Sequence, residues 1–314
     1  MVKPWLSLHC FLADPVRQDA FLSDVVMPQV RAWHAADKIA TWFFIRYWEG
    51  GPHLRLRLCG PATGDAAPFL GALGASIGRY TSHDPPSREA YYSGHSFDGD
   101  AVDPSKLPWF AEGSIAVIPY VPETLRYGGP AALPLNEKLF EKSSALTAGI
   151  VAQIADPLAR TVPAFALMAT TARIVAGRDG VADYAARYAA GWATYSPANS
   201  ALAARLSAET SDPRRVAALR GLLSGDRGRA VAGWGVVVDE LCTALRNLAD
   251  AGLLDSPFGP SHPASTDDVI AAIVGSQLHM LNNRLGLTPA AELILASRLA
   301  RDAAAITAPL EMVA

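Results

Sequence analysis

The chain has 314 residues, half of them hydrophobic and 18% charged, enough to bury a sizeable core in one large domain or two moderate ones. The formal net charge of −3 excludes a global basic field, so neither nucleic acid nor an anionic membrane is expected as a direct partner. Three widely separated cysteines and an N-terminus without a signal-peptide core fit a reducing cytoplasm, and no apolar run reaches the roughly 18 residues of a spanning helix.

Strand and helix patterns alternate in the first part of the chain. Residues 4–11 alternate with period two and predict a strand, and residues 14–35 predict a helix that is interrupted near Pro28. Residues 69–80 predict a shorter helix, and residues 115–120 predict a further strand.

The strongest local pattern lies in residues 42–58, which predict two strands joined by a turn that contains two glycines and a proline. Side chains of the second strand alternate between two faces, and its three leucines share the face that must be buried. The opposite face carries His53, Arg55 and Arg57. Two guanidiniums one pleat apart suit a carboxylate, because arginine offers a planar fork of donors. A solvated outer face is the alternative interpretation.

The chain becomes alanine-rich and helical after residue 134. Just before this change, residues 120–130 predict a loop with paired glycines and with Glu123 three residues ahead of Arg126. A turn-rich linker at residues 255–264 precedes a last pair of helices. Earlier helical patterns cover residues 136–154, 163–176, 181–195, 201–223 and 230–251. The predicted fold class is α+β, with an N-terminal mixed α/β half with antiparallel strands (residues 1–133) and a largely helical C-terminal half (residues 134–314) in one compact domain.

The penultimate helix carries an unusual stripe. Ser265 can cap this helix and Gly286 marks its end. Its small and polar side chains recur at spacings of three and four, and they are Ala272, Gly275, Ser276, His279 and Asn283. Small residues permit close approach by a ligand or another backbone. A buried histidine that is hydrogen-bonded between helices is the alternative.

Other candidates have simpler interpretations. Trp192 is expected in the core, and Tyr184, Arg187 and Tyr188 share a helical face that we expect to cover a neighbouring helix. The sequence has no phosphate-binding glycine loop, and its seven histidines show no metal-binding spacing, so we expect no cofactor and no metal.

Four of these stretches together resemble a known family. They are WFFIRY (residues 42–47), HLRLR (53–57), PETLRYGG (122–129) and QLHMLNNRL (277–285). In this order they resemble the C-terminal elimination domain of class I lanthipeptide dehydratases and the related stand-alone thiopeptide-type bacteriocin biosynthesis proteins.

The resemblance implies a lyase that acts on a ribosomally made precursor peptide with leader and core. A partner enzyme would glutamylate serine or threonine from glutamyl-tRNA, and this chain would expel glutamate to leave dehydroalanine or dehydrobutyrine. The implied catalytic residues are His279, Arg57, Arg126 and Glu123. Histidine is suited to proton transfer and arginine to carboxylate or oxyanion binding. The expected substrate-binding residues are Arg55, His53, Arg46, Tyr127, Asn283 and Arg284.

Two other functions remain open. Thiopeptide pyridine synthases resemble the same domain; they join two dehydroalanines in a formal [4+2] cycloaddition and then expel water and the leader peptide. The set of Arg57, Glu123, Arg126 and His279 favours elimination, because cycloaddition releases no glutamate. A non-catalytic subunit could instead bind a leader peptide at a sheet edge, although such a subunit has no evident need for a histidine with three arginines.

Overall fold

A computed structural model describes residues 4–60, 66–93, 96–97, 100–101, 103–225, 228–259 and 261–307 of the chain. The chain forms two compact units. The first, here called the α+β unit, comprises Met1–Glu123, Phe140–Pro157 and Asn283–Gly286. The second, the helical unit, comprises Thr124–Leu139, Leu158–Asn282 and Leu287–Ala314.

An antiparallel sheet forms the centre of the α+β unit. The strands are β1 (Trp5–Phe11), β2 (Thr41–Tyr47), β3 (His53–Cys59), β4 (Ser96–Phe97), β5 (Asp100–Ala101) and β6 (Ile115–Val117). The four-stranded sheet has the order β2-β3-β1-β6, and β4 and β5 pair with each other. One face of β1 and β3 is apolar and buried, as their alternation predicts; it carries Leu6, Leu8, Cys10, Leu54, Leu56 and Leu58.

Helices of the α+β unit cover this leucine face. They are α1 (Pro15–Phe21), α2 (Met27–Ala35) and α3 (Ala67–Ile77). The short α4 (Arg88–Tyr92) also belongs to this unit, and its tyrosines pack against Trp109. The predicted interruption exists, but it is a π-helical turn at Leu22–Val26 that lies ahead of Pro28. Pro28 follows this π-helical turn, whose last hydrogen bond runs from the Met27 amide to the Leu22 carbonyl.

The rest of the chain is helical. Its helices are α5 (Leu133–Gln153), α6 (Thr161–Ala176), α7 (Val181–Ala193), α8 (Pro197–Ser207), α9 (Pro213–Ser224), α10 (Arg229–Asp250), α11 (Thr266–Leu285) and α12 (Pro289–Thr307). In the helical unit, α12 packs against α6, α7, α8 and α9, and α6 packs against α10. A buried hydrogen bond from Trp234 Nε1 to Thr171 Oγ1, 2.9 Å long, links α10 to α6.

The α+β fold class is confirmed. The pattern over residues 201–223 proves to be two helices, because Asp212 accepts hydrogen bonds from the amides of Arg214 and Arg215 and begins α9 with Pro213 in its first turn. Ser265 caps α11 as predicted, with its Oγ 3.1 Å from the Asp268 amide. No helix in the described part of the chain is long and apolar enough to cross a membrane.

Candidate functional site

The sheet of the α+β unit has a polar and aromatic face opposite its leucines. Antiparallel pairing of β2, β3 and β1 sets the side chains of this face in rows across the strands. The rows are Phe43–Arg57–Ser7, Ile45–Arg55–His9 and Tyr47–His53–Phe11. The two arginines therefore lie one pleat apart on one face, as the alternation predicts.

Arg55 is held by neighbours in its own unit. Its guanidinium carbon lies 3.4 Å from the ring centre of Tyr47, and its Nη2 lies 3.9 Å from Glu49 Oε2. Its Nε donates a hydrogen bond to His53 Nε2 at 3.1 Å. Burial lowers the pKa of Arg55, while Tyr47, Glu49 and Glu123 act to raise it. Glu123 thus acts on Arg55 through its charge.

Two buried histidines stack beside these arginines. The rings of His9 and His53 are 4.7 Å apart, and His53 Nδ1 donates to the Gly51 carbonyl at 2.7 Å. Burial lowers the pKa of His53 to about 4, helped by Arg55 and Arg57 and opposed by the bond to Gly51. Burial, followed by His53 and the arginines, lowers the pKa of His9 to about 3. Both imidazoles are neutral at pH 7.

Arg57 lies among aromatic rings. Its guanidinium carbon is 4.3 Å from the ring centre of Tyr120 and 5.2 Å from that of Phe43. Trp5 packs edge-on against both rings, with centroid distances of 5.3 Å. This geometry is that of a cation–π contact.

Three predicted substrate-binding residues form structural contacts within the α+β unit. Asn283 brackets the backbone of Arg46: its Oδ1 accepts from the amide at 2.9 Å and its Nδ2 donates to the carbonyl at 3.0 Å. The Arg46 side chain pairs with Asp19. Arg284 is fully buried and its Nε donates to the Phe44 carbonyl at 2.6 Å. Arg284 therefore has no exposed surface to offer a substrate.

A cavity of about 450 Å³ opens in the helical unit. Helix α7 gives it an aromatic wall that includes Tyr188 and Trp192. Helix α11 also lines it, with the small residues Gly275 and Ser276 and with His279. The size and the few polar groups among aromatic rings are typical of ligand sites.

His279 joins this cavity to a buried carboxylate. Its Nδ1 lies 2.8 Å from Glu292 Oε1, and its ring centre is 4.8 Å from that of Trp192. Glu292 is fully buried and also accepts from Tyr188 Oη at 2.5 Å and from Asn282 Nδ2 at 3.1 Å. Burial, reinforced by Glu292, raises the pKa of Tyr188 and keeps its hydroxyl protonated. His279 is thus both hydrogen-bonded between helices and open to the cavity.

The loop with the paired glycines reaches the same helix. Arg126 lines the cavity, and its Nε donates to Ser276 Oγ at 3.2 Å. The next residue, Tyr127, is buried, and its carbonyl accepts from Asn136 Nδ2 at 3.0 Å. Gln277 Nε2 in turn donates to Asn136 Oδ1 at 2.8 Å. Neighbouring residues of α11 therefore hold the side chain of Arg126 and the backbone that follows it.

Comparison with known proteins identifies the family. A family model described as lantibiotic biosynthesis dehydratase C-term matches residues 5–304. The chain belongs to this family. No curated protein is significantly similar to it in sequence.

Three solved structures have a similar fold. The pyridine synthase TbtD from thiomuracin biosynthesis matches 97% of this chain and 99% of its own, with a TM-score of 0.69 and 19% identity. TsrL matches 95% of this chain and 93% of its own, with a TM-score of 0.66 and 16% identity. The tRNA-dependent lantibiotic dehydratase MibB from Microbispora sp. 107891 matches 96% of this chain but 28% of its own, with a TM-score of 0.51 and 22% identity.

The four residues predicted to be catalytic belong to two different units of the protein. Arg57 and Glu123 belong to the α+β unit, whereas Arg126 and His279 belong to the helical unit and line one cavity. The prediction missed Glu292, for which the sequence gives no signal, because its pairing with α11 is a tertiary contact.

The aromatic face of α7 covers a neighbouring helix, as predicted, because α7 packs against α12 and Tyr188 donates to Glu292 on that helix; the same face also borders the cavity, which was not predicted. Tyr184, Tyr188 and Trp192 recur every four residues on one helical face, and this face lines the cavity. Among the residues described, no three His, Cys, Asp or Glu side chains gather closely enough to hold a metal ion.

Proposed function

We propose that the chain is a thiopeptide-type pyridine synthase. It would join two dehydroalanines of a ribosomal precursor peptide in a formal [4+2] cycloaddition, then expel water and the leader. The observation that carries the proposal is the His279 cavity, which is lined by aromatic residues, by small residues and by an acid–base group. Similarity to a pyridine synthase over 99% of that protein supports it, whereas the dehydratase is matched over 28% of its length.

The cavity suits the neutral reactants of a cycloaddition. Bringing two alkenes together depends on orientation more than on charge. Aromatic side chains such as Tyr188 and Trp192 pack well against flat unsaturated groups. Arg126 and Ser276 add polar donors that can hold a peptide carbonyl oxygen.

His279 supplies proton transfer after the ring has closed. Loss of water requires that a proton leave a ring atom, that its electron pair form a ring double bond, and that the carbon–oxygen bond break. The departing hydroxide then takes the proton and leaves as water. The leader leaves in a second elimination of the same kind: a ring proton is removed, its electron pair forms the last ring double bond, and the carbon–nitrogen bond to the leader breaks, so that the leader takes up the proton and departs as its amide. A positioned histidine suits both halves of this exchange, because its unperturbed pKa lies nearest neutrality.

The contacts of Arg55 and Arg57 on the sheet also favour cycloaddition over glutamate elimination. Arg55 stacks on Tyr47 and neighbours Glu49, and Arg57 lies over Tyr120 and Phe43. These contacts cover guanidinium faces and supply countercharge within the unit. They weigh against the two arginines acting as the receptor for a glutamate leaving group.

Mass spectrometry of a precursor peptide that carries a leader and two dehydroalanines tests the proposal. Incubation with the protein is expected to release the leader and give a core product lighter by the leader and one water. The dehydroalanines must be made beforehand, so a dehydrating enzyme is the expected upstream partner. An unchanged peptide, at concentrations where it binds the protein, contradicts the proposal.

Glutamate elimination is the second candidate, because Arg126 and His279 line the same cavity. An arginine can hold a departing carboxylate beside a histidine that removes a proton. In this case a precursor glutamylated by the tRNA-dependent partner enzyme loses glutamate and ends about one water lighter than its unmodified serine form. A protein that leaves this peptide intact but cyclises the dehydroalanine peptide is a pyridine synthase alone.

A further inference from the structure

The buried carboxylate of Glu292 is hydrogen-bonded to three side chains. The carboxylate is fully buried, and it accepts from Tyr188 and Asn282 at Oε2 while Oε1 faces His279 Nδ1. A buried carboxylate is costly unless it is well satisfied by donors. Here three donors from two other helices converge on it.

We propose that Glu292 is a positioning residue, which fixes His279 in the tautomer with hydrogen on Nδ1 and leaves Nε2 as the basic nitrogen in the cavity. The importance of this tautomer for turnover rests on the proposed function, but the tautomer itself does not. Neither Glu292 nor the tautomer could be inferred from the sequence.

The hydrogen-bond inventory carries the assignment. An ionised carboxylate only accepts, so the imidazole nitrogen 2.8 Å from Oε1 must be the one that bears hydrogen. Tyr188 and Asn282 both donate to Oε2, so two of the carboxyl group's contacts require it to accept, and this favours the form that only accepts. Tyr188 remains a donor because burial and Glu292 raise the pKa of its hydroxyl.

The second imidazole nitrogen is directed to the reaction space. His279 lines the cavity and keeps 21% of its side chain exposed, whereas Glu292 is fully buried. Within the described part of the chain, Nε2 has no hydrogen-bond partner. A neutral imidazole with hydrogen on Nδ1 has its lone pair on Nε2. When Nε2 takes a proton from substrate, the resulting cation stays paired with Glu292.

The fold also holds the carboxylate in place. Glu292 lies in the first turn of α12, where the positive end of the helix dipole favours a negative side chain. Its amide donates to the Thr288 carbonyl at 3.0 Å. The Tyr188 and Asn282 bonds fix the plane of the carboxylate, so Oε1 points at His279 without relying on substrate.

Long-range proton–nitrogen NMR spectra of the full chain test the assignment directly, because protonated and unprotonated imidazole nitrogens resonate apart. The His279 signals are identified by their loss in a His279→Gln variant. The expected wild-type result is hydrogen on Nδ1 and none on Nε2 at neutral pH. The opposite tautomer, or a rapid mixture of both, overturns the proposal whether or not the protein turns over any peptide.

Two substitutions separate positioning from folding. Glu292→Gln keeps an oxygen that can accept from His279 Nδ1, so this variant is expected to retain the tautomer. The new side-chain amide of Gln is a donor, and the buried amide of Asn282 can rotate so that its carbonyl oxygen accepts from it. Glu292→Leu removes the acceptor and is expected to move hydrogen to Nε2 and to lower kcat ~100-fold with KM unchanged. Equal kcat losses in both variants, with the tautomer retained in both, contradict a positioning role.

The matched control is Asp302, a second fully buried acid on α12, which pairs with Arg215 at 2.8 Å. Asp302→Asn is expected to lower stability while leaving the His279 spectrum unchanged. If that variant alters the tautomer as much as Glu292→Leu does, the effect comes from general loosening of α12 and the proposal fails. If no peptide is turned over by wild type, the spectra alone decide the question.

Discussion

Gly128→Ala is expected to destabilise the helical unit by about 3 kcal/mol and to impair the loop that carries Arg126. Gly128 is buried and has a φ of +85°, a conformation that side-chain-bearing residues rarely adopt. A methyl group built on it lies 2.8 Å from the terminal carbons of both Ile273 and Leu254, and 3.1 Å from Ala132 Cβ. The substitution therefore adds both backbone strain and a steric clash.

The two contributions can be estimated separately. The left-handed backbone costs an alanine roughly 1–2 kcal/mol. Overpacking against buried side chains costs a further 1–3 kcal/mol or so. Ile273 is fully buried, so it cannot swing into solvent to relieve the contact. The Gly128 carbonyl also accepts from the Asp255 amide at 3.0 Å, a bond that any backbone shift would stretch.

Gly259→Ala is the matched control. Gly259 has a φ of +82°, and no described atom lies within 4 Å of a methyl group built there. This variant bears the backbone strain without the clash, so a loss of only about 1–2 kcal/mol is expected. The difference between the variants, about 2 kcal/mol, corresponds to roughly 4–8 °C in Tm for a unit of this size.

Urea and thermal unfolding followed by far-ultraviolet circular dichroism measure both losses. Turnover of the dehydroalanine peptide should fall in Gly128→Ala and persist in Gly259→Ala, because only the first displaces the backbone beside Arg126. Equal destabilisation by the two substitutions refutes the steric argument. A stable Gly128→Ala variant with full activity refutes the inference that this loop must be held in place.

Three further predictions concern other parts of the molecule. His279→Ala is expected to lower turnover ~10²–10⁴-fold in the peptide assay; a loss below tenfold, with the fold intact, contradicts its acid–base role. Trp234→Phe removes the donor to Thr171 and should cost about 1 kcal/mol in urea unfolding; unchanged stability shows that the hydrogen bond contributes no net stability. Burial lowers the pKa of His9 to about 3, so stability should fall by up to about 1.4 kcal/mol per pH unit as the pH drops from 6.5 towards 3, where the unfolded chain binds the proton first. His9→Gln should reduce this dependence and leave the part that comes from His53, whose pKa is lowered to about 4; the exposed control His83→Gln should not reduce it, and identical slopes in both variants contradict the assignment.

Local periodicity predicted most of the fold. Alternation in β3 identified the buried Leu54, Leu56 and Leu58, because one face of a strand must lie against the core. Helical spacing on α11 likewise set Ser276 and His279 on one stripe, and both line the cavity. These are properties of a single element, which the sequence specifies directly.

Properties that depend on two elements could not be predicted. Glu292 lies thirteen residues beyond His279 on another helix, and only the packing of α12 brings the two together. The stretches that resemble the family also do not show which of their side chains are buried. Arg284 belongs to one of these stretches, but it is fully buried and donates to the Phe44 carbonyl. The cavity beside Tyr188 and Trp192 was not predicted, because the sequence pattern of an aromatic helical face does not show whether part of that face borders an open space.

The aromatic wall of the cavity lies on α7 and His279 lies on α11, and this separation affects how the site can change by mutation. A mutation on α7 can change which side chains the cavity admits without touching His279 on α11. Gly191 shows how: it lines the cavity, and no described atom lies within 4 Å of a methyl group built on it. With the proposed function, substitution libraries at Gly191, Arg187 and Tyr195 are expected to change which peptides are accepted while His279 and its reaction are retained.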